Sequence, residues 1–407
     1  MTPLDIVVFG ATGTSGAQVA RLLAQRVADG ATFTLGIAGR SVARLEDLRA
    51  SLPAPATAIP CDANDTAGVT ALAARTGVMV STIAPYVDHG EPMVAACARA
   101  GTDYLDLSAE TAQIRRLIDA HQATAQRTGA RLVPTCGFDA AISDLGVHIL
   151  IAHFRERRTD VAEIRALFRC AGGWNAGTVA SAQALWKRPA DQEAMRDPFL
   201  LLPPETPRPL DRARHLDPSA AVRDHDVGRW VAPFWMGPIN TRVVRRSLTL
   251  DRGESAAPLP TYHEFWDPGG PADFAMAQAV AASWGVWQQL SRVPTVATAM
   301  SASLAPWMAL GERWPTSGFR ALFLGRGRDG SRAWARVRGP LDPANGATAA
   351  IATEAAVLLA QSRGRVTPGG FLTPATAFGR TLATALLRHG IRTECPHSPS
   401  WAHVARL

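Results

Sequence analysis

The chain has 407 residues, of which 47% are hydrophobic and 19% are charged. This composition excludes intrinsic disorder, collagen-like repeats and small disulfide-rich scaffolds, and the length predicts two or three domains. The formal net charge is +7, but the basic residues are spread thinly and form no run of five, so we expect no nucleic-acid partner.

The first predicted elements are a strand, a glycine-rich turn and a helix. The apolar run Ile6–Phe9 leads into Gly10-Ala-Thr-Gly13-Thr-Ser-Gly16, and apolar residues follow at helical spacing. Three glycines in this context are typical of a dinucleotide-binding loop, with the pyrophosphate at the helix N-terminus. The residues predicted to hold it are Gly10, Thr12, Gly13, Thr14 and Gly16.

The second predicted strand, Phe33–Ala38, is followed by Gly39, Arg40 and Ser41 rather than by an acidic residue. An acid here would bind the ribose of NAD, whereas a guanidinium pairs with the 2′-phosphate of NADP. We therefore expect NADP, bound by Arg40 and Ser41. The alternative is a helix-capping serine preceded by a surface arginine. Asp62, after the third strand, is placed either to approach the adenine end or to form a turn.

Four more strand candidates alternate with helical stretches and complete a doubly wound parallel sheet over about the first 140 residues. These four candidates, from the third strand onward, are Thr57–Ile59, Val78–Ile83, Tyr104–Leu107 and Arg131–Pro134, with helices that include Glu91–Arg99 and Thr111–Arg127. The loop after the fourth strand should follow the cofactor toward the nicotinamide. Its predicted cofactor contacts are Thr82, Ala84 and Pro85, and Tyr86 comes next.

After Asp144 the pattern changes to short alternating runs, such as Arg242–Leu250 and Arg332–Arg338, which are typical of antiparallel strands with one solvated face. Residues 274–311 carry a single charge, at Arg292. Buried helices or an apolar lid are the favoured interpretation. Peripheral contact with a membrane or an acyl carrier is the alternative. The tail, Gly369–Arg392, is predicted to carry one more helix.

Several kinds of chemistry are excluded by absent motifs. None of the three tyrosines is followed by a lysine four residues later, which removes the Tyr-x-x-x-Lys mechanism of short-chain dehydrogenases. The five cysteines form no C-x-x-C pair, and no H-E-x-x-H motif occurs, so we expect a reducing compartment and no metal site. No signal-peptide pattern opens the chain, which predicts a cytoplasmic location.

The order of motifs resembles the saccharopine dehydrogenase-like oxidoreductases, and within them the bacterial subgroup that includes the trans-acting enoyl reductases. The resemblance covers nearly the whole chain. It departs from the family pattern at Ala84, Ala109 and Ala140, where the family has glycine, glycine and serine. The motifs that carry it are Gly10-Ala-Thr-Gly13, Ala38-Gly39-Arg40-Ser41, Ala84-Pro85-Tyr86, Asp106-Leu-Ser108-Ala-Glu110, Cys136-Gly-Phe-Asp139, Gly177-Thr178-Val-Ala-Ser181 and Leu372-Thr-Pro-Ala-Thr-Ala377.

The resemblance implies a Rossmann domain with an inserted α+β domain that has a mainly antiparallel sheet. The expected ranges are 1–143 for the NADP-binding domain, 144–365 for the substrate or lid domain, and 366–407 for a C-terminal segment returning to the first domain. It also implies NADPH-dependent reduction. We expect an apolar, acyl-type substrate, and we expect a homodimer.

Reduction of an activated C=C bond needs a hydride from the nicotinamide and a proton donor. Tyr86 is the first candidate donor, unless it only packs. Asp139 could be an acid with a raised pKa, unless it caps the following helix. Two alternatives stay open: a C=N reductase that uses Arg242 or Arg245 to bind substrate carboxylates, and a non-catalytic NADP-binding scaffold associated with a membrane.

Overall fold

The computed structural model describes residues 3–171, 176–206, 210–252, 257–290, 318–363 and 368–396, with the single residues 293, 296 and 404. The described residues pack into two compact units. Unit 1 comprises those within Met1–Ala141, Trp174–Leu185 and Ala344–Leu386, and unit 2 those within Ile142–Gly173, Trp186–Pro343 and Leu387–Leu407. The predicted domain ranges stay predictions. Residues 176–185 and 344–363 were expected in the second domain but pack with unit 1. Residues 387–396 were expected to return to the first domain but pack with unit 2.

Unit 1 is built on a seven-stranded sheet in which every paired strand is parallel. Its strands are β1 (Leu4–Phe9), β2 (Leu35–Gly39), β3 (Thr57–Pro60), β4 (Thr76–Ser81), β5 (Asp103–Asp106), β6 (Arg131–Val133) and β13 (Gly370–Phe371). The order is β13-β6-β5-β4-β1-β2-β3, so β1 lies between β2 and β4 where the winding direction reverses. Near-continuous burial of β1, β2 and β4 explains why these short runs form central strands.

The helices of unit 1 include those that connect its strands. They are α1 (Thr14–Ala28), α2 (Val42–Ser51), α3 (Thr66–Ala73), α4 (Tyr86–Ala100), α5 (Thr111–Thr128), α7 (Ala176–Trp186), α11 (Thr348–Gln361), α12 (Pro374–Phe378) and α13 (Arg380–Leu386). The apolar face of α1 buries Val19 and Leu23 at helical spacing. Helices α4 and α5 both stop at a glycine in the left-handed conformation, Gly101 and Gly129.

Unit 2 contains a second seven-stranded sheet in the order β14-β12-β11-β7-β10-β9-β8. One pair, β7 with β10, is parallel and the others are antiparallel. The strands are β7 (Val161–Ala171), β8 (Val222–Asp224), β9 (Arg229–Pro233), β10 (Thr261–Trp266), β11 (Gly318–Gly327), β12 (Arg332–Gly339) and β14 (Arg392–Glu394). The prediction of a Rossmann sheet plus a mainly antiparallel second sheet is confirmed.

Four helices belong wholly or largely to unit 2: α6 (Phe138–Glu156), α8 (Pro189–Ala194), α9 (Gly237–Leu250) and α10 (Asp273–Leu290). Helix α6 approaches the sheet closely at Gly146, where a Cβ atom would lie 2.1 Å from Cε2 of Phe323. On the same side of the sheet, the rings of Phe168 and Phe234 stack with centroids 4.4 Å apart. Because Gly146 has no side chain, α6 can lie this close to β11.

The strand prediction for Arg242–Leu250 is wrong, because this run lies in α9. Its alternation of apolar and basic residues suggested one solvated face, yet Arg242, Arg245 and Arg246 are all buried. Their guanidinium groups donate to backbone carbonyls or to a carboxylate, which makes burial of the charges tolerable. The single helix predicted for the tail is replaced by β13, α12 and α13, with a break at Gly379.

The apolar stretch 274–311 falls only partly within the described residues: 291, 292, 294, 295 and 297–311 lie outside them. Its first half forms α10, in which only Ala277 and Ala281 are buried. The expectation of a buried helix is therefore wrong for this half. None of the described helices is long and apolar enough to cross a lipid bilayer.

Candidate active site

The glycine turn lies at the carboxyl ends of β1 and β4, where three backbone segments meet closely. Gly10 has a φ of +84°, and Gly16 is the third residue of α1. A Cβ at Gly16 would lie 2.3 Å from the carbonyl oxygen of Gly10, and one at Gly10 would lie 2.8 Å from Oγ1 of Thr82. The amide and hydroxyl of Thr82 both donate to the carbonyl of Phe9, at 2.9 and 3.0 Å. Only glycine fits at residues 10 and 16.

The phosphate-binding part of the loop is open to solvent. Gly13 and Thr14 are exposed and Thr12 is partly exposed. Helix α1 begins at Thr14 with Gly13 as its N-cap, so the first amide groups of the helix remain available at its positive end. This geometry fits the pyrophosphate of a dinucleotide, as predicted from the motif.

The turn between β2 and α2 carries two arginines, of which the sequence pointed to one. Arg40 is exposed, and the Ser41 hydroxyl caps α2 by accepting from the Arg44 amide at 3.4 Å, which is the capping role that was the alternative for this turn. Arg44, in the first turn of α2, donates from Nη2 to the Thr12 carbonyl at 2.6 Å. Its guanidinium thus joins this turn to the glycine loop. Arg44 was missed because an ordinary helix position carries no motif signal.

The other residues predicted to contact the cofactor lie in a turn or directly after β4. The Asp62 carboxylate accepts from the Asn64 amide at 2.9 Å, which is the turn role that was its alternative. Thr82, Ala84 and Pro85 are partly exposed after β4, and Pro85 immediately precedes α4. The structure therefore brings the predicted loop residues to the ends of β1 and β4.

Tyr86 is the first residue of α4 and its side chain is buried. Its hydroxyl donates to the Ser81 carbonyl at 3.1 Å and accepts from the Leu107 amide at 3.3 Å. Burial raises the pKa of this phenol well above its ordinary value. These contacts favour a role in holding the ends of β4 and β5 together.

Two buried carboxylates lie beside Tyr86: Asp106, the last residue of β5, and Glu110, directly before α5. Asp106 accepts from the Tyr104 hydroxyl at 2.8 Å, the Ser108 hydroxyl at 2.6 Å and the Thr135 amide at 3.1 Å. Burial raises the pKa of Asp106 despite these donors.

Glu110 accepts from the Tyr86 amide at 3.2 Å and the Ala109 amide at 2.9 Å, and Ser181 of α7 also donates to it. Burial likewise raises the pKa of Glu110. No specific role was predicted for either acid. The signal available in the sequence was their spacing: one acid at the end of a strand and a second acid four residues later.

Asp139 lies in the first turn of α6, within unit 1. Burial raises the pKa of its carboxyl to about 6. A carboxylic acid with such a pKa is partly protonated near neutral pH and is suited to proton transfer. The prediction that Asp139 is an acid stays a prediction, now with a favourable environment.

Arg242 and Arg245, the candidate carboxylate ligands of a C=N reductase, are engaged inside unit 2. Arg242 pairs with Asp217 and donates to the Met195 carbonyl at 2.8 Å. Arg245 donates to the carbonyls of His215 and Tyr262 at 2.8 and 3.0 Å. Neither guanidinium is presented to a substrate.

Metal-binding geometry is not found in the described part of the chain, where no three His, Cys, Asp or Glu side chains are grouped to hold an ion. None of the five cysteines, all of which lie among the described residues, forms a disulfide bond.

Comparison with known proteins identifies the family. A protein of Mycobacterium ulcerans named trans-acting enoyl reductase is 34% identical over 416 residues, covering 95% of this chain and 96% of that protein. The Mycobacterium leprae protein of the same name is 31% identical over the same shares of both chains. The chain belongs to the trans-acting enoyl reductase family. A Mycobacterium tuberculosis relative with this name is 38% identical over 261 residues, so that 60% of this chain matches 61% of that protein.

The cofactor prediction is confirmed by a second comparison. The family model described as the saccharopine dehydrogenase NADP binding domain matches residues 6–133. This range contains the glycine loop, Arg40, Arg44 and Thr82. The cradle that a Cβ would fill at Gly10 and Gly16 fits the pyrophosphate of this cofactor. The predicted class of NADP-dependent oxidoreductases agrees with both comparisons.

The fold is also that of a solved structure. Apo saccharopine dehydrogenase (L-Glu forming) from Saccharomyces cerevisiae aligns with 97% of this chain at a TM-score of 0.55, with 11% sequence identity. At this identity the likeness concerns the fold alone.

Proposed function

We propose that this member of the family is an NADPH-dependent reductase that transfers hydride to an activated C=C bond of an apolar, acyl-type substrate. The observation that carries the proposal is the glycine cradle at Gly10 and Gly16 with Arg40 and Arg44 beside it, inside a matched NADP-binding domain. The names of the relatives support enoyl reduction. Bound NADPH would supply the hydride.

The chain's own part is to bind the cofactor, to supply a proton and to order the loop after β4. We assign the proton to the Asp139 carboxyl, whose pKa of about 6 leaves a protonated fraction at neutral pH. Tyr86 is assigned a positioning role, because its hydroxyl is held between Ser81 and Leu107. Glu110 supports the same helix start through the Tyr86 amide.

The test is NADPH binding by calorimetry, followed by NADPH oxidation with a long-chain enoyl thioester. We expect binding of NADPH in preference to NADH and consumption of one NADPH per double bond reduced. A saturated thioester of equal length is the control. Absence of NADPH binding would contradict the proposal. Binding without oxidation of any enoyl substrate would instead favour the non-catalytic scaffold.

The partner is proposed from α10, which presents large apolar side chains to solvent. Phe274, Met276, Val286 and Leu290 are all exposed on this helix. An apolar surface of this kind suits an acyl carrier or the surface of a membrane next to a cytoplasmic enzyme. Flotation with neutral vesicles should recover the protein, and Val286→Glu should abolish recovery. Equal recovery of both proteins would argue against this contact. Sedimentation equilibrium should report a homodimer.

A further inference from the structure

Three guanidinium groups surround one buried carboxylate at one end of the sheet in unit 2. Asp267, directly after β10, is 2% exposed. Its Oδ2 lies 2.9 Å from Nη2 of Arg169, 3.1 Å from Nη2 of Arg229 and 3.8 Å from Nη2 of Arg320. Its Oδ1 accepts from the Gly269 amide at 3.0 Å. A single negative charge therefore faces three positive charges.

Strand register explains why the arginines collect here. Arg320 of β11 lies directly opposite Arg169 of β7 on one side and Arg338 of β12 on the other. Residues that face each other in antiparallel pairs project from the same surface, and like charges in these positions repel. Burial and the neighbouring guanidiniums lower the pKa of Arg320 to about 10. An additional anion would relieve this repulsion.

Adjacent charges do not cancel the excess. Arg336 and Arg338 share one carboxylate, that of Glu394, with Arg338 Nη2 at 3.2 Å from Oε1. Among these described side chains, five arginines thus face two carboxylates. This end of the sheet therefore carries more positive charge than its own carboxylates neutralise.

Hydrogen-bond donors remain unused in this cluster. Within the described residues, the Arg320 side chain makes no hydrogen bond, and Nε of Arg169 is buried without a partner. The side chains of Arg169 and Arg320 are 41% and 24% exposed, so a solute can reach them. Asp267 holds the guanidiniums in place, and Arg169 lies across Gly269, where a Cβ would meet Nη2 at 2.1 Å. The donors are preorganised rather than free to rotate.

We propose that Arg169, Arg229 and Arg320 form a binding site for a phosphate dianion. Three guanidiniums and one carboxylate leave two positive charges, which a phosphate dianion neutralises and a carboxylate monoanion does not. Guanidinium groups bind phosphate oxygens through paired N–H donors. All residues of the site belong to unit 2, so the inference is independent of the cofactor site in unit 1 and of the proposed function.

The experiment is a calorimetric titration of the full-length protein with inorganic phosphate at constant ionic strength. Arg320→Gln should weaken phosphate binding by about tenfold or more, the change expected for loss of one charge-assisted contact. Arg212→Gln, which removes an exposed arginine paired with Asp197, is the matched control and should keep the wild-type affinity. Arg320→Lys should bind with intermediate affinity because it keeps the charge and loses the paired donors.

Far-UV circular dichroism of each variant verifies folding. Flotation with vesicles of phosphatidate in phosphatidylcholine then distinguishes the source of the phosphate: recovery that depends on Arg320 points to a lipid headgroup, and phosphate binding without flotation points to a soluble phosphate ester. Either supports the site. Two results would overturn it: no binding of phosphate to the wild type, or equal phosphate affinity of Arg320→Gln and the wild type.

Discussion

Arg40 and Arg44 show how far a single residue can be assigned from its place in the chain. The position after β2 pointed to Arg40, because this is where Rossmann proteins read the ribose. Arg44 lies one helical turn later and reaches the Thr12 carbonyl. The carbonyl partner depends on how the α2 N-terminus meets the glycine loop, which sequence spacing alone does not reveal.

The two arginines lead to a prediction about cofactor choice. Arg44→Gln and Arg40→Asp should each weaken NADPH binding by about tenfold or more, because a charge-assisted contact to the 2′-phosphate is lost. NADH affinity should change little, since that cofactor lacks the phosphate. Fluorescence titration with both cofactors measures the ratio. Equal losses of affinity for NADPH and NADH would show that neither arginine recognises the 2′-phosphate.

Asp139 gives a prediction about the pH dependence of turnover. A carboxyl with a pKa of about 6 donates a proton only while protonated, so kcat/KM should fall as pH rises through about 6. Asp139→Asn should lower kcat and remove this part of the pH profile. Asp47→Asn, an exposed helix residue, is the control and should retain both. An unchanged profile in Asp139→Asn would assign the proton to another group.

At the scale of elements, the parallel strands of unit 1 were largely predictable because their apolar runs end in recognisable turns. The predicted Ile6–Phe9 and Thr57–Ile59 match β1 and β3 to within two residues. The run Arg242–Leu250 failed for a physical reason. Buried arginines that donate to carbonyls give a helix the same apolar and basic alternation as a strand with one wet face.

The contact between α6 and β11 depends on the missing side chain at Gly146. Gly146→Ala would place a Cβ 2.1 Å from Cε2 of Phe323, so we expect a loss of about 1 to 3 kcal/mol in the free energy of unfolding. Gly285→Ala in α10 meets no atom within 4 Å and should be neutral or slightly stabilising. Urea unfolding of the two variants tests the difference. Equal stabilities would show that Phe323 moves aside.

A buried network between β10, α9 and α6 predicts a dependence of stability on pH. The Glu264 carboxylate accepts from the Tyr262 hydroxyl at 2.6 Å and from Nδ2 of Asn240 at 2.9 Å, and Ser143 also donates to it. Burial, with a contribution from Asp217, raises its pKa to about 7.

The folded state therefore keeps the Glu264 proton that the unfolded chain releases above about 4.5. Stability should decrease as pH rises from about 4.5 to 7, by about 3 kcal/mol from this group, and then level off. Glu264→Gln should remove this contribution, whereas Glu193→Gln on the surface should not. Urea unfolding between pH 5 and 8 provides the measurement. A parallel decline in Glu264→Gln and wild type would place the pH sensitivity elsewhere.

For the whole molecule, the resemblance to saccharopine dehydrogenase-like proteins predicted two sheets and a returning segment, but not which segments assemble unit 1. Helix α11 belongs to that unit, and its Glu354 lies 3.5 Å from Nε of Arg26 in α1. Arg131 of β6 donates to the Leu359 carbonyl at 2.8 Å and to the Ser362 hydroxyl. These contacts join residues more than 200 positions apart in the sequence, so no local pattern of apolar residues could have predicted them.

This assembly predicts that unit 1 does not survive truncation. A chain ending at residue 343 lacks α11 and β13, and it would expose the residues that pack against Ile351 and Ala355. We expect it to lose cooperative unfolding and NADPH binding. Adding a separate peptide of residues 344–396 should recover part of the binding. A truncated chain that still unfolds cooperatively and binds NADPH would show that residues 3–141 form a stable fold alone.

The pairing of Gly370–Phe371 with β6 also has a consequence during synthesis. Strand β6 leaves the ribosome about 240 residues before the strand that will cover it. At about 5 to 20 residues per second, its outer edge stays unpaired for roughly 10 to 50 seconds. An open edge of this kind can pair with another nascent chain. We therefore expect the yield of native protein to depend on translation speed and on chaperones that shield β6 in that interval.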